Sequence, residues 1–273
     1  MSLIGVKERV FPAKKQYHLF ADLGLPHQVT VTLYSYPFRH IVLDDFLPAE
    51  QYQALSHAFK RVLDSGLSQA PRRDIFSRFD LYDLYAYTPK PTLELPLGFF
   101  FSESYIQTLE SALRRSLSRD TFLTCHHHQP SPEDNYIHND YMYEYFVHEP
   151  LGNGVNPWYH QCDKRTPSKQ GSPRVRAAAV IYYLNNDQQE DQGGETGIFV
   201  SKQKDSLVRK ISPVNNRLTM FDITPTSFHN YMRCSMPARN SIAQWFYVTE
   251  EETLRRFPGT QPGGWGHLHT KKP

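Results

Sequence analysis

The residues best suited to chemistry in this chain are His138, Asn139 and Asp140, followed by His229 and, ten positions beyond it, Arg239. Two histidines and one carboxylate form the ligand set that holds non-haem Fe(II) on one face and leaves the opposite face open. Arginine makes a separate demand. Its planar guanidinium stays charged and grips a carboxylate through two parallel N–H bonds, so Arg239 suits a dicarboxylate co-substrate. None of these signals is specific alone: most His-x-Asp tripeptides are surface or turn residues, and an isolated His229 reads as a core or turn histidine.

To act together, these side chains must share a face. Along a strand, residues i and i+2 point the same way. A strand over Tyr136–Phe146 would therefore aim His138 and Asp140 inward with Tyr136 and Met142, and turn Asn139, Tyr141, Tyr143 and Tyr145 outward. His229 follows an apolar segment (RLTMFD, 217–222) and a Thr-Pro-Thr turn, which puts it at the mouth of the next strand.

The wider pattern supplies the scaffold. Alternation predicts strands over Gln28–Tyr34 and His40–Phe46. Tyr52, Leu55, Phe59 and Leu63 predict a helix from about Leu47 to Leu63, and Ile106, Leu109, Leu113 and Leu117 a second one over Glu103–Leu117. Between them, 71–88 reads as a loop rich in Arg, Asp and Tyr. From Phe122 onward the texture becomes short β segments: Phe122–His128, Tyr136–Phe146, Ala177–Leu184, Ile198–Val200, Arg217–Asp222 and Ser241–Val248. The fold class that follows is mostly β with flanking helices (α+β), a sandwich or jelly roll supported by N-terminal helices. No Gly/Ser or Pro-rich linker divides the chain, so a single domain over 1–273 is expected. Its support is 1–121, its core 122–250 and its C-terminal tail 251–273.

Composition limits the partners. With 273 residues, 14% of them aromatic, the chain has ample material for a large core. A net charge of +2 and short, scattered basic pairs (Lys14-Lys15, Arg72-Arg73, Arg114-Arg115) argue against a nucleic-acid partner, which calls for concentrated basic charge. Cys125, Cys162 and Cys234 form no CxxC pair, a usage that suits a reducing compartment. The segment Met1–Lys15 lacks the apolar run of a signal peptide, and no window reads as a membrane span, so a cytoplasmic protein is expected.

Four motifs, in order, resemble the Fe(II)/2-oxoglutarate-dependent dioxygenases, particularly their prolyl-hydroxylase-like branch. They are His138-x-Asp140, the segment Ala179–Asn186 (AVIYYLNN), Gly193-Gly194-Glu195-Thr196, and His229 followed by Arg239–Phe246 (RNSIAQWF). They span about residues 122–248, and His40–Leu63 resembles the helical preface of such enzymes. The resemblance implies a double-stranded β-helix, or jelly roll, with Fe(II), 2-oxoglutarate and O2 as cofactor and co-substrates and ascorbate as a stimulant. His138, Asp140 and His229 would be the catalytic metal ligands. Arg239 and Tyr183 would bind the distal carboxylate of 2-oxoglutarate, Thr196 would line the same pocket, and the small Ser241 and Ala243 would leave room beside Arg239.

Two features depart from the pattern. The run Cys125-His126-His127-His128-Gln129-Pro130 lacks the usual tyrosine and glycine, so His128 or His126 would replace a pocket tyrosine. Neighbouring strand residues face opposite ways, which disfavours one ion shared by all three histidines and favours a surface or edge cluster. The long segment 146–174, with Gly, Pro, several basic residues and Trp158, is a candidate substrate lid. Trp158, Trp245 and His128 are the candidate substrate contacts.

The resemblance implies hydroxylation of an unactivated C–H bond. A basic, Trp-bearing lid suits a small amino-acid-like or peptidic metabolite. The alternatives are a prolyl-type hydroxylase of polypeptide side chains and a non-enzymatic metal-binding jelly-roll module. An aspartate at position 140 disfavours halogenation, whose enzymes have a small residue there. The spacing Arg233-x5-Arg239 lacks the pattern of the nucleic-acid repair branch.

Overall fold

The computed structural model describes residues 29–70, 72, 75–79, 83–89, 96–146, 172–187 and 192–263. In chain order the elements are β1 (Thr30–Tyr34), β2 (His40–Asp44), α1 (Ala49–Asp64), β3 (Leu67–Ser68), β4 (Phe76–Phe79), β5 (Leu84–Tyr87), α2 (Glu103–Leu113), β6 (Thr121–His128) and β7 (Tyr143–Phe146). They continue with β8 (Ser172–Tyr183), β9 (Thr196–Phe199), β10 (Leu207–Ile211), β11 (Arg217–Asp222), β12 (His229–Tyr231), β13 (Arg239–Val248) and α3 (Glu250–Arg256). The larger sheet runs β1-β2-β11-β8-β13-β6-β5-β4-β3, with β7 paired to the first part of β8, and the smaller sheet runs β10-β9-β12.

The sheets meet face to face. Tyr183 Oη of β8 lies 2.8 Å from Thr196 Oγ1 of β9, the His128 ring of β6 is 4.4 Å from that of Tyr231 in β12, and Phe221 of β11 is 4.6 Å from His229. This is the mostly β, double-stranded β-helix architecture expected from the sequence.

The central strand shows why the fold closes this way. The segment AAAVIYYL is apolar throughout rather than alternating, the mark of a strand buried on both faces. Its even residues, Val180 and Tyr182, join Leu218, Met220, Ile242 and Phe246 in a core shared with Leu55 and Phe59 of α1 and Tyr105, Ile106 and Leu109 of α2. Its odd residues, Ala179 and Ile181, turn inward with Phe221, Ile198 and Trp245. Each large apolar side chain so buried contributes about 1.5–3 kcal/mol, so the helices hold the outer face of the sheet and leave the inner face to the site.

The helices begin and end where local chemistry requires. Ser102 accepts a hydrogen bond from the Tyr105 amide at 3.3 Å, capping α2. That helix stops at Leu113, short of the expected Leu117, because Arg114 takes a left-handed φ of 55°. Thr249 accepts from the Glu252 amide at 3.2 Å to open α3, with three acids in its first turn and Arg255 and Arg256 in its last, a charge order that suits the helix dipole.

Several expectations need correction. The stretch read as a loop over 71–88 holds β4 and β5, which extend the larger sheet beyond β6, and α3 lies in what read as a tail. Strand β10 carried no clear alternation signal. Of the proposed strand Tyr136–Phe146 only Tyr143–Phe146 is regular, and Tyr141 is buried while Tyr136 is exposed. The local reason is Asp140, whose φ of 56° breaks the extended run. The three consecutive histidines are no surface or edge cluster, because β6 lies between β13 and β5 inside the sheet.

Candidate active site

Backbone pairing brings His138 and His229 together. The His138 amide donates to the His229 carbonyl at 2.9 Å, and the His229 amide donates back at 2.7 Å. This reciprocal pair is an isolated antiparallel bridge at the edge of the smaller sheet. Residues opposed in this way project to the same face, and the two rings sit 4.4 Å apart. Asp140 joins them through its left-handed turn, a conformation that Asp tolerates better than most residues. Asn139 fixes that turn. Its Oδ1 accepts from the Tyr141 amide at 3.2 Å and its Nδ2 donates to the Pro225 carbonyl at 2.8 Å, while its carbonyl accepts from Ser227 Oγ at 3.1 Å. The residue expected to point idly away thus ties the aspartate to the loop that delivers His229.

Both rings offer Nε2 to the centre. Nδ1 of His138 lies 3.2 Å from the Tyr136 carbonyl, and Nδ1 of His229 lies 2.9 Å from that of Ser227. An Nδ1–H bonded to a carbonyl leaves the Nε2 lone pair free for a cation. Asp140 Oδ1 is 3.6 Å from His138 Nε2, and Oδ2 is 3.8 Å from His229 Nε2. These three ligand atoms all lie within 4.8 Å of one another and form the one such group among the described residues. Burial and the neighbouring His138 lower the His229 pKa to about 4, so its ring is neutral at physiological pH. Burial alone would raise the Asp140 carboxyl, but Arg176 and the two histidines outweigh it and hold the group below the usual carboxylate range.

The carboxylate has its own support. Trp245 Nε1 donates to Asp140 Oδ2 at 2.8 Å, and Arg176 Nη1 lies 3.1 Å from Oδ1. Arg176 is buried and donates from Nε to Glu144 Oε1 at 2.9 Å, while Tyr247 Oη donates to Glu144 Oε2 at 2.5 Å. The Arg176 guanidinium also lies over the Trp245 ring, 4.4 Å from its centroid. Sequence reasoning missed this group. The available signal was an arginine set directly against the apolar run 177–184, where charged residues are rarely buried unless paired.

Deeper between the sheets stands Arg239, 3% exposed. Its Nη2 donates to Thr196 Oγ1 at 3.3 Å and its Nη1 to Ser241 Oγ at 3.4 Å, both long, and its Nε has no hydrogen-bond partner among the described residues. The rings of Tyr183 and Tyr231 flank it, each 5.0 Å away. Thr196 reaches this position through the Gly193-Gly194 turn, where both φ values are +78°. A Cβ on Gly193 would sit 2.1 Å from the Arg233 carbonyl oxygen, so only glycine permits that approach. The structure thus gathers Arg239, Tyr183, Thr196 and Ser241 around one point.

The candidate substrate contacts divide. Trp245 is half-buried beside Asp140 and stacked on Phe122 with centroids 5.8 Å apart. His128 is buried against Tyr231 in the depth of the barrel, and the His126 ring lies between His128 and Trp245, at 5.6 and 6.3 Å. Burial and the Arg239 charge lower the His126 pKa to about 3. Trp158, with the rest of 147–171, lies outside the described residues.

Fold and site together define a jelly-roll protein with a two-histidine, one-carboxylate centre facing a buried cation. This chain matches, over residues 127–247, which include the centre and Arg239, the family model of the 2OG-Fe(II) oxygenase superfamily. It is a 2-oxoglutarate-dependent non-haem iron dioxygenase. The fold is shared with a prolyl-4-hydroxylase of Pseudomonas putida, at 18% identity and a TM-score of 0.50, over 76% of this chain and 91% of that one. It is likewise similar to a Trichoplax adhaerens prolyl hydroxylase in complex with a hypoxia inducible factor oxygen degradation domain peptide fragment. There the identity is 15% and the TM-score 0.50, over 81% of this chain and 87% of the other. No curated protein matches the sequence. Among the described residues no helix is long and apolar enough to cross a membrane.

The residues fit the cofactor and co-substrate of the family. The centre offers two imidazole nitrogens and one ionised carboxylate, the donor set suited to Fe(II). Arg239 is a buried guanidinium that no carboxylate of the described residues neutralises, with an Nε that finds no partner among them.

Proposed function

We propose that this protein hydroxylates an unactivated C–H bond of a small amino-acid-like or peptidic metabolite, with iron at His138, Asp140 and His229 and 2-oxoglutarate anchored by Arg239. The observation that carries the site assignment is the buried Arg239 fork, whose only described polar contacts are two hydroxyls at 3.3 and 3.4 Å. A carboxylate placed there gains charge-assisted hydrogen bonds that the hydroxyls cannot match.

Fe(II) held by His138, Asp140 and His229 would supply the oxidising chemistry, in which O2 is consumed as 2-oxoglutarate goes to succinate and CO2 and the substrate C–H becomes C–OH. The chain supplies binding and order. His138 and His229 present Nε2 because their Nδ1 atoms are tied to backbone carbonyls. Arg239, with the Tyr183 and Thr196 hydroxyls, takes the distal carboxylate and so fixes the depth at which the keto acid lies. The rings of Phe221, Trp245 and Tyr231 exclude water from the space between. The half-buried Trp245 and the exposed Tyr136, whose ring is 5.1 Å from His138, form the side open to substrate.

The test is succinate release from 2-oxoglutarate under O2, with free amino acids and short peptides offered separately from intact polypeptides. Stimulation by the small compounds supports the proposal. Stimulation confined to polypeptides would replace it with a protein hydroxylase.

A further inference from the structure

The iron ligand Asp140 is held by two side chains that no ligand pattern includes. Its Oδ2 accepts from Trp245 Nε1 at 2.8 Å, and its Oδ1 faces Arg176 Nη1 at 3.1 Å. Each carboxylate oxygen therefore already has one protein partner. Arg176 is fixed in turn by Glu144, and Glu144 by the Tyr247 hydroxyl, in a group whose members are all 5% exposed or less. The guanidinium also lies over the indole that makes the other bond, 4.4 Å from its centroid, so the two donors pack against one another.

A cation placed so close to a metal ligand opposes the metal by charge. Electrostatics alone would give the position to a neutral donor, and burying the guanidinium adds a desolvation cost. Its retention as one end of a fully bonded Arg176–Glu144–Tyr247 group points to a geometric task. A carboxylate free to rotate offers a metal either one oxygen or two. One whose oxygens are each tied to a different donor is restricted in that choice. Outer-shell partners of metal ligands commonly carry a tenfold to hundredfold effect on affinity.

We propose that Trp245 and Arg176 are positioning residues for the metal, clamping Asp140 so that it presents a single oxygen in a fixed direction. The inference rests on the assignment of iron to His138, Asp140 and His229. The clamp itself is built by three strands: β13 supplies Trp245 and Tyr247, β8 supplies Arg176 and β7 supplies Glu144. A substitution far from the open side of the centre, at Glu144 or Tyr247, thus reaches the metal through Arg176.

The experiment is an anaerobic Mn(II) titration of the full chain followed by electron paramagnetic resonance, on wild type, Trp245→Phe, Arg176→Lys and His229→Ala. Trp245→Phe keeps an aromatic ring and removes one N–H. Arg176→Lys keeps the charge and removes the fork, and it serves if the first variant fails to fold. The proposal expects each to weaken Mn(II) binding about tenfold and to broaden or shift the bound-metal spectrum. A lowered melting temperature with wild-type Mn(II) affinity and spectrum in the folded variants would overturn the clamp and leave a purely structural group. His229→Ala separates the two levels: if it also binds Mn(II) like wild type, the metal assignment fails, whereas its loss of binding beside unaffected clamp variants sinks the clamp alone.

Discussion

The two ends of the interior space are built on opposite plans. At the metal end each ligand side chain is already held by a protein partner: both Nδ1 atoms lie on carbonyls, and the Asp140 oxygens on Trp245 and Arg176. At the other end Arg239 is as deeply buried, yet among the described residues it hydrogen-bonds only two distant hydroxyls and its Nε finds no partner. A buried guanidinium without a carboxylate costs several kcal/mol. The metal end therefore invests in geometry and the Arg239 end in affinity, because an incoming carboxylate relieves a charge the fold leaves uncompensated. Metal ligands have to be placed before the metal arrives; a co-substrate that is consumed has to be drawn in anew at each turnover.

That contrast can be broken most sharply at the metal end. Asp140→Ala or His229→Ala should abolish succinate formation, measured with 2-oxoglutarate and Fe(II) in excess; full turnover in either would remove the metal assignment. At the opposite end Arg239→Ala should raise the 2-oxoglutarate concentration for half-saturation by about 100-fold, the scale of losing one partner of a buried charge pair. Its Fe(II) affinity, measured alone, should stay near wild type, which keeps the two ends separable. Tyr183→Phe removes one hydroxyl from the carboxylate pocket and should weaken 2-oxoglutarate about tenfold by calorimetry. Gly194→Ala tests the support beneath it. A Cβ there would lie 2.8 Å from Met236 Cε and 3.5 Å from Arg239 Cγ at a φ of +78°, so we expect a destabilisation on thermal melting. Its size should be about 1–3 kcal/mol, with roughly a threefold weaker 2-oxoglutarate affinity from the shifted Arg239 stem.

The fold class, the helical preface and the central strand were legible because hydrophobic period is a local signal. The run AAAVIYYL predicts burial on both faces without knowledge of its neighbours. The four motifs were legible in the same way, as short patterns in order. What stayed hidden depends on partners distant in sequence. The left-handed turn at Asp140 is held by Pro225 and Ser227 through Asn139, so alternation alone returned a strand. The strands at 76–79 and 84–87 find their pairing against β3, β6 and one another, and their Arg, Asp and Tyr content imitates a loop. Arg176 gains its meaning from Asp140 and Glu144 on one segment and Trp245 on another, all distant from it in sequence. His128 is the instructive intermediate: its departure from the tyrosine pattern was visible, while its burial against Tyr231 needed the second sheet.

The central claim is that one interior space holds both iron and the keto acid. Anaerobic titration of the metal-free protein with Fe(II) and then 2-oxoglutarate tests it most directly, through the visible charge-transfer band that a chelated keto acid gives on Fe(II). The account predicts a saturable band in the wild-type protein that moves to much higher 2-oxoglutarate in Arg239→Ala. Tight Fe(II) binding with no band at any 2-oxoglutarate concentration would contradict it.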